Sequence, residues 1–235
     1  MRLVKICGIN APDAYEAARA AGADLVGFVF YPQSPRAVLP SQAAAIAAEA
    51  GGPGRVALFV DPADALLQSV LEGFRPDFLQ LHGAEPPSRV AAVRARFGLP
   101  VIKVFGIAGA GDLARVRAEQ HAADWVMLDA KPSAGAALPG GNAESFDWSL
   151  LRGLRLDRPW LLAGGLSPDN VAEAIGIADP TGVDVSSGVE KSRGVKDTAK
   201  IASFVRAARA AFGSRAIASP PPLGYDPGVP GDARR

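Results

Sequence analysis

The sequence predicts an α/β fold in which eight parallel strands close into a (β/α)8 barrel. Eight short, β-rich apolar runs alternate with segments of helical spacing along the chain. The 235 residues match a length at which such barrels form one domain. A weak internal repeat, VKICGI at 4–9 and IKVFGI at 102–107, suits the two similar halves of a closed barrel. We therefore favour a single-domain TIM barrel over an open doubly wound sheet, which is the competing fold.

The predicted strands are nearly continuous in apolar residues, as expected where helices cover a parallel sheet. In chain order they are LVKIC (3–7), DLVGFVF (24–30), VALFV (56–60), DFLQLH (77–82), VIKVF (101–105), WVMLDA (125–130), WLLAGG (160–165) and GVDVS (182–186). The tripeptides GAD, RPD and AAD precede or begin the second, fourth and sixth strands. These similar tripeptides at the starts of alternate strands also support a repeated β/α unit.

A segment of helical spacing follows most of the strands directly. The first five are PDAYEAARAA, SQAAAIAAEA, PADALLQSVLE, PPSRVAAVRARF and GDLARVRAEQ, and those after the seventh and eighth strands are SPDNVAEAIG and KDTAKIASFVRAARAAF. The sixth strand is followed by a long glycine-rich stretch and then by SFDWSLL. The pattern stops after Phe212, so we predict a barrel over residues 1–213 and a disordered, proline-rich extension over 214–235.

Composition gives no sign of a nucleic-acid or membrane-surface partner. Hydrophobic residues make up 49% and charged residues 21%, with a formal net charge of +1. The N-terminus lacks the charged-then-apolar order of a signal peptide, and no apolar stretch approaches the roughly 18 residues that a membrane span needs. We therefore expect a cytoplasmic protein. The single cysteine, Cys7, excludes an internal disulfide and a multi-thiolate metal site, which leaves a buried apolar group, an incidental thiol or a reactive group.

Residues that can do chemistry fall at the carboxyl ends of the predicted strands, where parallel α/β barrels place their active sites. They are Cys7 on the first strand, Gln80 and His82 on the fourth, Asp129 on the sixth, and Asp184 with Ser186 on the eighth. Side chains alternate along a strand, so the inward-facing positions of these strands bring thiol, imidazole and carboxyl groups into one cavity.

The residues alone leave more than one role open for each of these groups. Cys7 can act as a general base if nearby positive charge lowers its pKa. Lys5, one layer below, either lowers that pKa, anchors a buried carboxylate such as Asp184, or forms an interior ion pair without a catalytic role. Asp129 is either a structural carboxylate that caps the next loop or a general acid whose pKa is raised by partial burial. His82, taken alone, is typical of a turn.

Two glycine-containing stretches after the last two strands predict a phosphate site. AGGLSPDN (163–170) is expected to lead into a helix with Ser167 as N-cap and Pro168 in the first turn, and VSSGVE (185–190) follows the eighth strand. Backbone N–H groups near a helix N-terminus form an anion pocket, and barrels commonly bind phosphate at this place. The expected phosphate-binding residues are Gly164, Gly165, Ser186, Ser187 and Gly188.

Two further loops are expected to border the cavity. KPSAGAALPGGNAES (131–145) is long and rich in glycine, which is typical of a mobile lid or, alternatively, of a disordered surface loop. YPQSPR (31–36) is stiffened by prolines and ends at Arg36, whose guanidinium group suits a planar carboxylate. An exposed arginine without a function is the alternative.

Seven motifs in this sequence resemble those of one family. They are KICGI (5–9), GFVFYPQSPR (27–36), LQLHG (79–83), LDAKP (128–132), PGGNAESFDW (139–148), LAGGLSPDNV (162–171) and GVDVSSGVE (182–190). Together they resemble the phosphoribosylanthranilate isomerases of tryptophan biosynthesis, over about residues 2–212. One element departs from the family pattern, since GGN stands where the family often has GTG before the FDW segment.

The resemblance implies a reaction that uses one acid and one base. The reaction is the Amadori rearrangement of N-(5-phosphoribosyl)anthranilate to 1-(2-carboxyphenylamino)-1-deoxyribulose 5-phosphate. By similarity, Asp129 is the general acid that protonates the ring oxygen and opens the sugar to an iminium intermediate. Cys7, as thiolate, then removes the C2 proton. The resemblance implies no cofactor and no metal.

The resemblance also implies contacts to the rest of a small-molecule substrate. The expected substrate-binding residues are Arg36, Gln80, His82 and Asp184. Arg36 would pair with the anthranilate carboxylate, and Asp184 would approach the ribose. The phosphate would rest on the glycine and serine backbone of the last two strand ends. We expect neither a nucleic-acid nor a membrane partner, and either a monomer or a homodimer.

Three other functions stay open at this point. A phosphosugar isomerase of histidine biosynthesis, or a dual-substrate relative, would share the phosphate site, but such enzymes are expected to use paired aspartates where Cys7 stands here. A non-catalytic barrel that senses a phosphorylated metabolite is disfavoured by the presence of both Cys7 and Asp129. Schiff-base chemistry on Lys5 or Lys103 needs a lysine at the cavity mouth, and both lie mid-strand.

Overall fold

The structure, a computed structural model, describes residues 2–48, 51–131 and 145–213. Its centre is a closed barrel of eight parallel strands, in which each strand pairs with the next and the last pairs with the first. The strands are β1 (Leu3–Cys7), β2 (Leu25–Val29), β3 (Gly54–Phe59), β4 (Phe78–Leu81), β5 (Val101–Ile107), β6 (Trp125–Ala130), β7 (Trp160–Leu162) and β8 (Gly182–Val185). The predicted (β/α)8 barrel is confirmed. The predicted extension over 214–235 and residues 132–144 of the predicted lid lie outside the described residues.

Helices surround the barrel in the order that the sequence pattern predicts. They are α1 (Pro12–Ala20), α2 (Pro40–Ile46), α3 (Asp64–Gly73), α4 (Pro87–Phe97), α5 (Ala110–Glu119), α6 (Val171–Ala178) and α7 (Thr198–Gly213). Three of them begin at a proline, which fits the first turn because the N–H that proline lacks has no partner there. Within the described ranges, no helix combines the length and apolar character that crossing a membrane requires.

The alternation of side chains divides the apolar core into two layers. Outward-facing residues such as Ile6 pack against the helices, whereas inward-facing residues such as Leu3 and Met127 fill the barrel interior. Lys5 and Cys7 continue the inward-facing series along β1. An apolar plug therefore supports the polar groups at the carboxyl end of the barrel.

The seventh strand is shorter than the predicted run over 160–165. β7 ends at Leu162, because Gly164 and Gly165 adopt left-handed φ values of 85° and 64° and turn the chain out of the sheet. The segment after the predicted lid forms a short 3₁₀ helix at Trp148–Leu151. The sequence pattern predicts the positions of β7 and of this short helix. It does not predict their lengths, because turns end them.

The prediction that Ser167 is the N-cap of the seventh helix is wrong, because the helix begins three residues later than predicted. α6 begins at Val171, and Asn170 occupies the preceding cap position. The Asn170 side chain stabilises the turn before the helix, because its Oδ1 accepts from the Ser167 N–H at 2.8 Å and its Nδ2 donates to the Gly165 carbonyl at 2.9 Å. The turn therefore fixes the glycine pair relative to the helix.

A short antiparallel pair of strands follows β8 and was not predicted. Its strands are β9 (Glu190–Ser192) and β10 (Val195–Lys196). Gly194, with a φ of 82°, allows the connection between them to turn back. This β9–β10 pair places Glu190 and Lys196, both buried, next to the end of β8.

Candidate active site

Cys7 is buried on the inward face at the carboxyl end of β1. Its register partner on β2 is Gly27. A Cβ atom on Gly27 would lie 2.8 Å from the Cys7 Sγ and 3.2 Å from the Lys5 Nζ. Glycine at this position therefore leaves the space in which the thiol and the ammonium group lie.

Lys5 anchors Asp184 across the strand pair that closes the barrel. The Lys5 Nζ donates to the Asp184 Oδ1 at 2.7 Å, and the lysine side chain is fully buried. Although burial opposes the charge, the carboxylate and the nearby thiol together raise the pKa of Lys5. The interior ion pair that the sequence suggested is present, and it lies directly beside Cys7.

The pKa of the Cys7 thiol is shifted in the direction opposite to the one on which the sequence interpretation relied. Burial raises this pKa most strongly, and Asp184 raises it further. The positive charges of Lys5 and Lys196 lower it, but they do not outweigh burial. Burial therefore favours the neutral thiol over the thiolate.

Asp129 lies at the carboxyl end of β6, on the same inward face as Met127. Its Oδ2 is 3.2 Å from the His82 Nε2, and its Oδ1 accepts from the Ala130 N–H at 2.8 Å. On the other side of the imidazole ring, the Gln80 Nε2 is 3.5 Å from the His82 Nδ1. His82 is thus more than a turn residue, because it connects the β4 amide group to the carboxyl group.

The predicted phosphate-binding residues lie in two loops that contact one another. A Cβ on Gly188 would collide with the Leu166 backbone, so only glycine permits this approach of the loops after β7 and β8. A Cβ on Gly164 would lie 3.1 Å from the Asp129 Oδ1. The predicted residues Gly164, Gly165, Ser186, Ser187 and Gly188 are all partly exposed. The turn at Gly164 therefore lies beside the Asp129 carboxyl group.

Arg36 is buried rather than exposed over the cavity mouth. Its Nε donates to the Glu190 Oε1 at 2.7 Å, and its Nη2 donates to the Glu190 Oε2 at 3.1 Å. The side chain passes over Gly8, where a Cβ would lie 2.6 Å from the Arg36 Cδ. The guanidinium group therefore binds a protein carboxylate from the β9–β10 pair.

Two buried residues that contact Arg36 or Ser186 were missed by the sequence analysis, namely Glu190 and Lys196. The Lys196 Nζ donates to the Ser186 carbonyl at 2.9 Å and to the Glu190 Oε1 at 3.0 Å. The only sequence signal for them was a pair of charged residues within a glycine-containing segment close to the predicted phosphate loop. Such a signal is usual for an exposed turn, and only the fold shows that both side chains are buried.

Neither lysine considered for Schiff-base chemistry lies at the cavity mouth. Lys5 is paired with Asp184, and Lys103 donates to the Glu85 Oε2 at 2.6 Å and to the Gly83 carbonyl at 2.8 Å. Lys103 and Glu85 are both buried. These contacts assign Lys103 to support of the loop after β4.

The fold and the polar groups at one end of the barrel define a (β/α)8-barrel protein with a candidate acid–base site. The family model described as N-(5'-phosphoribosyl)anthranilate (PRA) isomerase matches residues 4–207. The chain belongs to this family.

Named relatives agree with this assignment. The N-(5'-phosphoribosyl)anthranilate isomerase of Rhodospirillum rubrum is 52% identical over 212 residues, covering 88% of this chain and 97% of the relative. That of Paramagnetospirillum magneticum is 54% identical over 207 residues, covering 88% of this chain and 96% of the relative.

Solved structures of the family share the fold. The phosphoribosylanthranilate isomerase of Thermotoga maritima is 35% identical, with a TM-score of 0.80, and covers 89% of this chain and 100% of its own. A phosphoribosylanthranilate isomerase in complex with reduced 1-(o-carboxyphenylamino)-1-deoxyribulose 5-phosphate is also 35% identical, with a TM-score of 0.77 and the same coverage.

Proposed function

We propose that this chain converts N-(5'-phosphoribosyl)anthranilate to 1-(2-carboxyphenylamino)-1-deoxyribulose 5-phosphate in tryptophan biosynthesis. The observation that carries the proposal is the placement of Cys7 and Asp129 on inward faces at the same end of one barrel. Family membership supports the same reaction. The ligand named in the related complex supports the substrate class, a phosphorylated sugar joined to a carboxyphenylamino group.

Asp129 acts as the general acid. Its contact with His82 and its hydrogen bond from the Ala130 N–H hold the carboxyl group in one orientation. Proton transfer from this carboxyl group to the furanose ring oxygen opens the ring and leaves an iminium ion. The positive nitrogen acidifies the neighbouring C2–H bond, so the second step needs only a correctly placed base.

Cys7 acts as that base after losing its own proton. As thiolate it removes the C2 proton, and the enolamine that forms tautomerises to the ketone. β1 and β6 lie in different parts of the closed barrel, which suits an acid and a base that act from different sides of one sugar. This chemistry moves protons only and needs no cofactor.

The remaining contacts hold the two ends of the substrate. The backbone of the loops after β7 and β8 binds the phosphate, and Asp184 approaches the ribose from β8. Arg36 binds the anthranilate carboxylate with its guanidinium group, which also contacts Glu190. Gln80 and His82 contact the substrate from β4.

We further propose that the chain acts on this small molecule in the cytoplasm, without a nucleic-acid or membrane partner, as a monomer or a homodimer. The nature of the family reaction, a step in the biosynthesis of a small metabolite, supports this location. A related enzyme from Thermotoga maritima is described as dimeric, which supports the homodimer as one of the two states.

The direct test follows the loss of phosphoribosylanthranilate fluorescence with purified variants. Cys7→Ala and Asp129→Asn should each lower turnover by about a hundredfold or more, while the affinity for a product analogue stays close to normal. Asp157→Asn is the matched control, because this carboxylate is exposed before β7, at the opposite end of the barrel. Near-normal turnover in either site variant would overturn the role assigned to that residue. Saturable binding without turnover in the wild type would favour the non-catalytic alternative.

The contact between Arg36 and the carboxylate has its own test. Arg36→Ala should mainly weaken binding, raising KM about tenfold or more with a smaller effect on kcat, because the contact exists in both ground and transition states. Arg193→Ala removes an exposed guanidinium from the β9–β10 connection and serves as the control. Unchanged affinity in a folded Arg36→Ala protein would argue against this contact.

A further inference from the structure

Charged groups from three strands act on Cys7. Lys5 lies one inward position below it on β1, Asp184 is the register partner of Lys5 on β8, and Lys196 belongs to β10. Across the cavity, the titratable groups of the same rim are His82 and Asp129.

Lys196 is held at this place by several fixed contacts. Its side chain is 1% exposed, and its Nζ donates to both the carbonyl and the hydroxyl oxygen of Ser186, at 2.9 and 3.4 Å. The Ser186 hydroxyl would lie 3.2 Å from a Cβ on Gly8, the residue that follows Cys7. The Ser186 hydroxyl therefore lies close both to the Lys196 ammonium group and to Gly8, the residue that follows Cys7.

The two lysines differ in how their charge is balanced. Lys5 has its own carboxylate at 2.7 Å, and the negative charge of Asp184 opposes ionisation of the thiol, so the effects of this pair partly cancel at Cys7. Lys196 shares one carboxylate, Glu190, with the Arg36 guanidinium group.

We propose that Lys196 is a positioning residue for the reaction, whose ammonium group stabilises the thiolate of Cys7. The inference rests on the proposed function for the role of Cys7 as base, but ionisation of the thiol itself is independent of substrate. The electrostatics of the two groups agree with it. Burial lowers the pKa of Lys196, and Glu190 and the Cys7 thiolate oppose that effect without outweighing it. The charge of Lys196 in turn lowers the pKa of Cys7, against the larger effect of burial. Ionisation of Cys7 adds a negative charge that the Lys196 ammonium group stabilises.

The presence of one cysteine in the sequence makes the test specific. The ultraviolet absorbance of the thiolate is titrated with pH in the substrate-free, full-length protein, with the Cys7→Ala protein as the baseline. Lys196→Met should raise the pKa of the thiol enough to lower the thiolate fraction at neutral pH by about tenfold. Lys196→Arg, which keeps the charge, should titrate close to the wild type. Lys191→Met removes an exposed lysine from β9 and should leave the titration unchanged.

A second variant and a kinetic readout separate this role from a structural one. If Lys196→Met fails to fold, Lys196→Gln keeps a hydrogen-bond donor toward Ser186 without the charge and should show the same shift. With substrate, the rising limb of kcat should move to higher pH in the folded, uncharged variants, while KM changes little.

Two results would overturn the inference. They are an unchanged thiol titration in a folded, uncharged variant, and a shift in Lys196→Arg as large as that in Lys196→Met. A wild-type protein that does not turn over phosphoribosylanthranilate, but whose thiol titration responds to Lys196, would refute the proposed function and leave the electrostatic role standing.

Discussion

Gly27 leaves room for the Cys7 thiol because it has no Cβ atom. In the Gly27→Ala protein the new Cβ would come within 2.8 Å of the Cys7 Sγ, so the sulfur or the strand must move. A displacement of the reacting group by a fraction of an ångström to an ångström costs up to about a hundredfold in rate. We expect kcat to fall by roughly that factor, with a smaller change in KM, as measured in the fluorescence assay.

The control for this substitution is Gly176→Ala. Gly176 lies within α6, and no described atom outside its own stretch of helix lies within 4 Å of where its Cβ would be, so alanine should leave turnover unchanged and stabilise the helix by about 0.5–1 kcal/mol. Wild-type turnover in the Gly27→Ala protein would show that the thiol tolerates displacement. That result would remove Gly27 from the account of the site.

A site residue was predictable from the sequence where the alternation of side chains along a strand is enough to show that it faces the barrel interior. Cys7 and Asp129 end apolar runs, so their inward direction follows from the position of each run. The contacts of Arg36 were not predictable, because its partner Glu190 lies 154 residues away and on a strand pair that the pattern did not reveal. The contact between Arg36 and Glu190 becomes visible only when the fold is known.

At the scale of elements, the β9–β10 pair depends on the charge of Glu190. Burial alone would raise the pKa of this carboxyl group, but the hydrogen bond from Arg36 and the charge of Lys196 outweigh burial and hold the pKa below its ordinary value. Removing one partner of a buried ion pair leaves the other charges uncompensated, at a cost of about 3 kcal/mol or more. Glu190→Gln should therefore lower the free energy of unfolding by about this amount at neutral pH.

The pH dependence of this loss follows from the lowered pKa. Stability from Glu190 is fully present above the carboxyl pKa of the unfolded chain and is lost as the pH falls through the lower, folded value. The difference between wild type and Glu190→Gln in urea unfolding should therefore shrink on acidification through that range. Glu72→Gln changes an exposed carboxylate on α3 and should show neither effect. A difference that is constant with pH would contradict the role of the charge.

Elements with a continuous apolar run were predictable, and those defined by turns were not. β1 has the predicted ends, because its run is bounded by a glycine that leaves the sheet. The β9–β10 pair carries charged residues and a glycine in a short segment, which is also the composition of a surface loop. The buried residues of this pair contact Arg36 and the Ser186 carbonyl, which belong to other β/α units or to the end of β8, so local sequence could not reveal their burial.

At the scale of the whole molecule, the barrel closes where β1 meets β8. Lys5 and Asp184 are direct register partners across this junction and form its buried ion pair. The sequence predicted closure only indirectly, from the number of strands and the internal repeat, because pairing of the first and last strands leaves no local signal. The ion pair therefore links closure of the fold to the electrostatics of the site.

A double-mutant cycle on this pair tests that link. Lys5→Met leaves Asp184 buried without its cation and should lower the free energy of unfolding by about 3–5 kcal/mol. Adding Asp184→Asn removes the uncompensated charge, so the double variant should regain part of the loss, with a coupling of about 2 kcal/mol in urea unfolding. Turnover should stay low in the double variant, because Asp184 is proposed to approach the ribose. The exposed Glu16–Arg19 pair on α1, treated in the same way, should show much smaller coupling. Additive losses for Lys5 and Asp184 would mean that the junction is stabilised by strand pairing and packing rather than by this ion pair.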